Sequence, residues 1–246
     1  MGGGESIEHH HYHTVYQVPA EVTQQLKEQS DELANIKEEA IKQHDPNLFK
    51  ENSVKMFNKL LENLPKLNLT DGIIKKTGET HVAFIGPISS GKTSTINTLF
   101  NKNLPVALGH CTDKCEAVHE HNELIIWDAP GNNDDFIFYD PVSLSFVKSL
   151  DKFIILFDND IAMISNILRV VYAINNNIIV IRTKLDQYSS TNVRTVEQEK
   201  ALDIQKIKNL LGEDCGAKLF YTSCHNVTNK ASLIYDWIAF TTELGI

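Results

Sequence analysis

The chain has 246 residues, 42% of them hydrophobic and 22% charged, with a formal net charge of −9. That length supports one good core and a short accessory segment, and the acidic balance argues against a surface built to hold nucleic acid, which needs clustered Lys and Arg. Four cysteines are too few for a disulfide-built fold of this size, the longest apolar runs (153–157 and 178–181) are strand-sized rather than membrane spans, and the start shows no secretory pattern, so the expected compartment is a reducing cytosol.

Residues 1–18 read as a disordered tail of glycines followed by His9, His10, His11 and His13. The opening Met1-Gly2-Gly3-Gly4-Glu5-Ser6 fits the N-myristoylation pattern, with Gly2 as the acceptor once Met1 is removed. A chance glycine-rich start is the other reading. Myristate alone gives marginal, reversible attachment to a membrane, and the tail supplies no polybasic patch to reinforce it. Residues 19–43 follow with Val22, Leu26, Leu33, Ile36 and Ala40 at helical steps. Gln29 interrupts that seam. A short coiled coil and a helix docked on its own domain both fit. Asp45-Pro46 starts a second helix, with Asp as N-cap and Pro at the first helical position. Phe49, Phe57, Leu60, Leu61 and Leu64 form its face, and Pro65 ends it. The helical segment is expected over 19–77 and the main domain over 78–246.

After Gly78 the pattern changes. Apolar, β-rich runs at 81–85, 124–127, 152–157, 178–181 and 218–221 alternate with helical stretches at 92–101, 142–150, 162–174, 196–211 and 230–244. Such alternation implies right-handed crossovers and a parallel sheet covered on both faces. Residues 117–120 precede the polar turn His121-Asn122-Glu123 and read as an antiparallel edge strand. The expected fold is α/β: a three-layer phosphate-loop architecture with a mostly parallel six-stranded sheet and one antiparallel edge strand, preceded by the helical segment.

Gly86-Pro87-Ile88-Ser89-Ser90-Gly91-Lys92-Thr93 matches the phosphate-loop pattern in full, after a strand and before a helix. Backbone N–H groups from Gly86, Ile88, Ser89, Ser90 and Gly91 can wrap a β-phosphate with the helix dipole behind them. Gly91 permits close approach, Lys92 offers an ammonium to the β- and γ-phosphates, and the Thr93 hydroxyl can ligate Mg²⁺; Ser94 joins the nucleotide-binding set. Asp128-Ala129-Pro130-Gly131 ends the 124–127 strand. Asp128 is expected to hold Mg²⁺ and Gly131 to offer its N–H to the γ-phosphate.

Thr183-Lys184-Leu185-Asp186 ends the 178–181 strand and selects the base. The Asp186 carboxylate can accept from guanine N1–H and the 2-amino group together, a donor pair that adenine lacks. The Lys184 stem can cover the ring. Thr183 stands where Asn is more usual, and its hydroxyl can still tie this segment to the phosphate loop. Thr222-Ser223-Cys224 follows the last strand, with N–H groups near Ser223 and Cys224 expected at guanine O6. Between the first helix and the edge strand, Thr112 is the threonine of residues 104–115 and the candidate to cap Mg²⁺. The implied ligands are GTP or GDP with Mg²⁺.

These motifs, in order, resemble the guanine-nucleotide domain of the translation-factor-related GTPases. Within them, Ile181-Arg182-Thr183-Lys184-Leu185-Asp186, Trp127-Asp128-Ala129-Pro130-Gly131 and the strand KFIILFD at 152–158 are similar to the immunity-related, interferon-inducible GTPases. Members of that family carry a substantial helical domain after the nucleotide domain, whereas this sequence ends at Ile246. The resemblance implies GTP hydrolysis activated by self-association across the nucleotide face. Asn132 follows Gly131 where many GTPases carry Gln; one methylene shorter, it implies slow intrinsic turnover accelerated by a partner or by self-association, with a GTP-dependent homodimer as the expected assembly. The rival reading is a pseudo-GTPase that holds nucleotide as a structural ligand and acts through its N-terminal helices. His110, Cys111, Cys115, His119 and His121 invite a zinc reading, but their spacing is off-pattern.

Overall fold

The central strand of the sheet is buried from Phe153 to Phe157, because a strand covered on both faces must be apolar at every position rather than at alternate ones. In a computed structural model, the structure describes residues 19–67, 73, 75–106, 116–121, 123–129, 140–187, 194–224 and 236–246. The strands are β1 (Thr80–Ile85), β2 (Glu116–His121), β3 (Leu124–Asp128), β4 (Lys152–Phe157), β5 (Ile178–Arg182) and β6 (Lys218–Tyr221). They form one six-stranded sheet in the order β2-β3-β1-β4-β5-β6. Every pairing is parallel except β2 with β3, which is antiparallel. This is the expected fold class, including the antiparallel edge. β2 carries a register shift between Ala117 and His119, and the His119 ring lies 4.2 Å from that of Phe100.

The helices are α1 (Ala20–Gln43), α2 (Pro46–Asn63), α3 (Lys92–Phe100), α4 (Pro141–Lys148), α5 (Ser165–Ile174), α6 (Val196–Leu211) and α7 (Trp237–Leu244). Alternating strand residues feed two cores. Ala83, Ile125, Trp127, Phe153, Ile155 and Phe157 face α4, α5 and α6. Val82, Phe84, Ile126, Ile154, Leu156 and Ile181 face α3 and α7. Each fully buried Val, Leu, Ile or Phe side chain among these contributes about 1.5–3 kcal/mol of burial free energy.

Local chemistry sets the helix starts. Asp45 accepts from Asn47 N at 3.0 Å, Asp140 from Ser143 N at 2.8 Å, and Thr195 with Gln198 forms a capping box. Two expected helices differ. The stretch 162–174 divides into a 3-10 turn, Ile161–Ile164, and α5, with Asp160 accepting from Ala162 N at the turn's entry. The last helix starts at Trp237; residues 230–235 of the expected stretch lie outside the described residues.

Of the two readings of the first helix, the docked one holds. Val22, Leu26 and Leu33 of α1 share a core with Phe57 and Leu60 of α2, Leu144 of α4 and Val170 of α5. Arg169 of α5 donates to Asn58 Oδ1 at 2.7 Å, and its guanidinium lies 5.1 Å from the Phe57 ring centre. Gln29 is buried in this seam, and its Oε1 has no hydrogen-bond partner among the described residues.

Candidate nucleotide site

β1, β3, β4, β5 and β6 are parallel, so their carboxyl ends share one edge of the sheet, where ligands of open α/β sheets bind. The loop after β1 runs from Gly86 into α3 at Lys92. Gly86 is required there by space: a Cβ on it would stand 2.3 Å from the Leu156 carbonyl oxygen. Gly91 is required by conformation, since its φ of 90° is left-handed. Ser89 adopts a φ of 62° without being glycine, a local strain that functional loops often carry. Ile88 projects from the loop as an exposed apolar side chain. Ser94 lies in the first turn of α3, and its carbonyl accepts from Thr98 Oγ1 at 2.9 Å.

Lys92 is buried, and its ammonium donates to the carbonyls of Gly86 at 3.1 Å and Pro87 at 2.9 Å. The Thr93 hydroxyl donates to Asp128 Oδ2 at 2.8 Å. Two oxygen donors from α3 and β3 therefore meet beside the loop, a hard-donor pair suited to Mg²⁺. Ser90 Oγ is buried with no partner among the described residues, and a Cβ on Gly86 would approach it to 2.9 Å. A buried polar atom of this kind inside a loop fits a site that receives a polar ligand.

The segment after β5 meets the loop directly. The Thr183 hydroxyl donates to the Ser90 carbonyl at 2.7 Å and also lies 3.2 Å from the Phe157 carbonyl. Lys184 has a φ of 58°, and its ammonium pairs with Asp158 Oδ2 at 2.6 Å. Asp186 is exposed and accepts a short hydrogen bond from the Ser223 hydroxyl. Cys224 Sγ lies 3.5 Å from Thr95 Oγ1, and burial pushes its thiol above the ordinary range, so it stays neutral. The expected site residues Gly86, Ile88, Ser89, Ser90, Gly91, Lys92, Thr93, Ser94, Asp128, Thr183, Lys184, Asp186, Ser223 and Cys224 thus lie at or beside the carboxyl edge of the sheet. Gly2, Thr112, Gly131 and Asn132 lie outside the described residues, as do His110, Cys111 and Cys115 of the zinc reading.

Two groups escaped the sequence reading. Asp158 ends KFIILFD, and its signal was a carboxylate at the carboxyl end of a central strand. The second is a buried cluster behind the segments that follow β5 and β6. Arg182 donates to Asp203 Oδ2 at 3.0 Å and to the Tyr221 hydroxyl at 3.1 Å, and the Tyr221 hydroxyl donates to Asp203 Oδ2 at 2.6 Å. Burial pushes the Tyr221 phenol up, helped by its bond to Asp203. Burial alone would lower Arg182, but Tyr221, Asp203 and Glu199 outweigh it and hold the guanidinium above its ordinary value. The signal for Asp203 was an acid four residues before buried Ile207, on the inward face of α6.

No protein-family model matches the sequence and no curated protein matches it. Among solved structures, the chain is similar to the bacterial selenocysteine-specific elongation factor EF-Sec, at 17% identity and a TM-score of 0.48, over 68% of this chain and 28% of that one. It is similar to a GTP-binding protein from Sulfolobus solfataricus in complex with GDP, at 16% identity and a TM-score of 0.44, over 92% of this chain and 65% of that one. A third is Toc33 from Arabidopsis thaliana in complex with Mg²⁺ and GMPPNP, at 11% identity and a TM-score of 0.46, over 69% and 78%. The chain thus spans less than two thirds of the first two. At these identities and scores the likeness describes the course of the chain and no chemistry.

Proposed function

We propose that this chain binds GTP or GDP with Mg²⁺ and hydrolyses GTP, acting as a nucleotide-dependent switch. The observation that carries the reading is the hydrogen bond between Thr93 and Asp128, 35 residues apart, beside a phosphate-type loop whose Lys92 is already folded over it. Incoming phosphate oxygens replace the Gly86 and Pro87 carbonyls as acceptors for the Lys92 ammonium. Mg²⁺, when bound, supplies charge neutralisation on the β- and γ-phosphate oxygens; Thr93 and Asp128 would hold it, and Thr112 is the proposed further ligand. Gly131 is the proposed donor to the γ-phosphate. Asp186, with one oxygen held by Ser223, accepts from the guanine edge. Lys184, anchored on Asp158, lays its stem along the ring, and the backbone near Cys224 meets O6.

The short Asn132 motivates slow turnover by one subunit and completion of the site by a second copy, in the manner of the immunity-related resemblance. A cytoplasmic protein that touches membranes reversibly through an acylated Gly2 fits the N-terminal pattern. No helix among the described residues is long and apolar enough to cross a membrane. Phosphate release measured against protein concentration tests the reading. Specific activity is expected to rise with concentration. Activity that stays flat over two decades removes self-activation, tight GTP binding without release leaves a binding module, and absence of GTP binding by calorimetry overturns the proposal.

A further inference from the structure

Two base-reading segments leave the sheet side by side. Arg182 is the last residue of β5 and Tyr221 the last of β6, and the two are register partners. The next residue on each strand, Thr183 and Thr222, opens one segment. Asp203 of α6 accepts from both strand ends through the same oxygen, Oδ2, at 3.0 Å from Arg182 and 2.6 Å from Tyr221. Its residue is 1% exposed. The β6 end is fixed a second time through its backbone. Tyr221 N donates to Asp236 Oδ2 at 2.9 Å, Asp236 N donates to the Tyr221 carbonyl at 3.1 Å, and Lys200 of α6 pairs with Asp236.

Stability alone does not explain a buried ionic cluster here. Taking such charges out of water costs about as much as their attraction returns, and well-packed apolar residues of the same volume often serve as well or better. What the ionic groups add is direction, because each hydrogen bond fixes a distance and an angle that dispersion contacts leave soft. Direction matters at this place. The proposed guanine contacts come from both segments, and a bidentate pair with Asp186 tolerates little displacement of one segment against the other.

We propose that Asp203 is the positioning residue of the base site: one buried carboxylate, bound to the side chains that end β5 and β6, sets the two base-reading segments relative to each other. The inference rests on the guanine-binding reading of that site. Asp203 touches no ligand and acts through Arg182 and Tyr221. The phosphate loop leaves from β1, two strands away from β5 in the sheet order. It touches the β5 segment through the Thr183 hydroxyl on the Ser90 carbonyl, while the Lys92 ammonium is bound to the loop's own carbonyls, so phosphate binding is expected to depend on Asp203 far less than the base contacts do.

The experiment uses the full chain and three probes by calorimetry: GDP, inosine diphosphate, which lacks the 2-amino group, and inorganic pyrophosphate. The wild type is expected to prefer GDP over inosine diphosphate. In Asp203→Asn, GDP affinity falls roughly tenfold toward that of inosine diphosphate, as expected when a charge-assisted contact is loosened, while pyrophosphate affinity holds. Tyr221→Phe, which keeps the Arg182 pair and removes only the hydroxyl link to β6, gives a smaller loss in the same direction, and it decides the matter should Asp203→Asn fail to fold. A lowered melting temperature with the base preference intact reduces the cluster to a structural clamp and overturns the inference. Equal losses for GDP and pyrophosphate overturn it as well. A wild type that holds pyrophosphate without preferring guanine shows failure of the underlying reading before any substitution, and the inference falls with it.

Discussion

The two halves of the candidate site are built by different means. The phosphate half, after β1 and β3, rests mainly on one contiguous loop, with a glycine at φ 90° and a lysine folded onto carbonyls five and six residues back, and adds a single distant contact, the Thr93 hydroxyl on Asp128 35 residues along the chain. The base half, after β5 and β6, relies on side chains brought from afar. Asp158 holds Lys184 across 26 residues, Ser223 holds Asp186 across 37, and Asp203 joins two strand ends. A site can therefore fix one part of a ligand by local backbone geometry and the other by long-range side-chain contacts.

The sharpest break in that comparison is Lys92→Ala. Losing a charge-assisted contact to a buried phosphate costs ~1.5–3 kcal/mol, more than tenfold in affinity, and the loss should fall equally on GTP and pyrophosphate. Unchanged calorimetric affinities would remove Lys92 from the site. Asp186→Asn is its counterpart in the base half. Pyrophosphate binding should be untouched, and preference should move from GTP toward xanthosine triphosphate, whose 2-oxo group matches an amide donor. Selection of GTP as strong as in the wild type would show that Asp186 does not read the base.

The same division decides what was legible in the sequence. The phosphate half could be read because its pattern is contiguous and its residue types are dictated by backbone geometry: only glycine fits at Gly86, where a Cβ would meet Leu156. The strands could be read because β4 is apolar at every buried position. Antiparallel β2 was legible from the polar turn before Leu124. The partners of the base half were not, because nothing local marks Asp203 or Asp158 as belonging to Arg182, Tyr221 or Lys184. The docking of α1 and α2 on α4 and α5 was left open for a related reason: an amphipathic seam states that a face is buried but not against what. Thr183 lies between these cases. Its tie to the loop was foreseen from the hydroxyl alone, but its second acceptor, the Phe157 carbonyl, needed the sheet.

A smaller effect serves as a control on the comparison. Gln29 buries an amide oxygen without a partner among the described residues, in the seam of α1 far from both halves in sequence. Gln29→Leu should stabilise the fold by about 1 kcal/mol, the order of the desolvation cost of one unsatisfied group. The melting temperature should rise by roughly 2–4 °C, with GDP and pyrophosphate affinities unmoved. A change in base preference would mean that overall stability, rather than the Asp203 cluster, sets the geometry of the base half.

The smallest effect vanishes at neutral pH and belongs to the phosphate half. His81 on β1 is buried; its Nδ1 accepts from the Trp127 indole N–H of β3 at 3.0 Å, and its Nε2 meets Glu79 at 3.2 Å. An indole N–H can only donate, so the neutral ring carries its proton on Nε2 and gives it to Glu79. The bond bridges the two strands that deliver the phosphate loop and Asp128. Burial holds His81 below its ordinary 6.5, against the opposing pull of Glu79 and Asp151 and with Lys75 adding to the depression. As the pH falls below 6.5, the unfolded chain takes up the proton first and binds more protons than the folded one. Stability is therefore fully present above 6.5 and is lost as the pH falls from there through the lower folded value. Protonation of Nδ1 would also break the bond to Trp127. Glu79 sits below its ordinary 4.5: burial alone would raise it, but bonds from Lys76 and His81 lower it further. Its own loss begins at lower pH, so a comparison of urea midpoints at pH 7.5 and 5.5 isolates the histidine. His81→Gln keeps an acceptor for Trp127 and a donor for Glu79 without titrating. The wild-type midpoint should drop more than that of His81→Gln between the two pH values; parallel midpoints would show that His81 takes up its proton equally in the folded and the unfolded chain and that acid acts elsewhere.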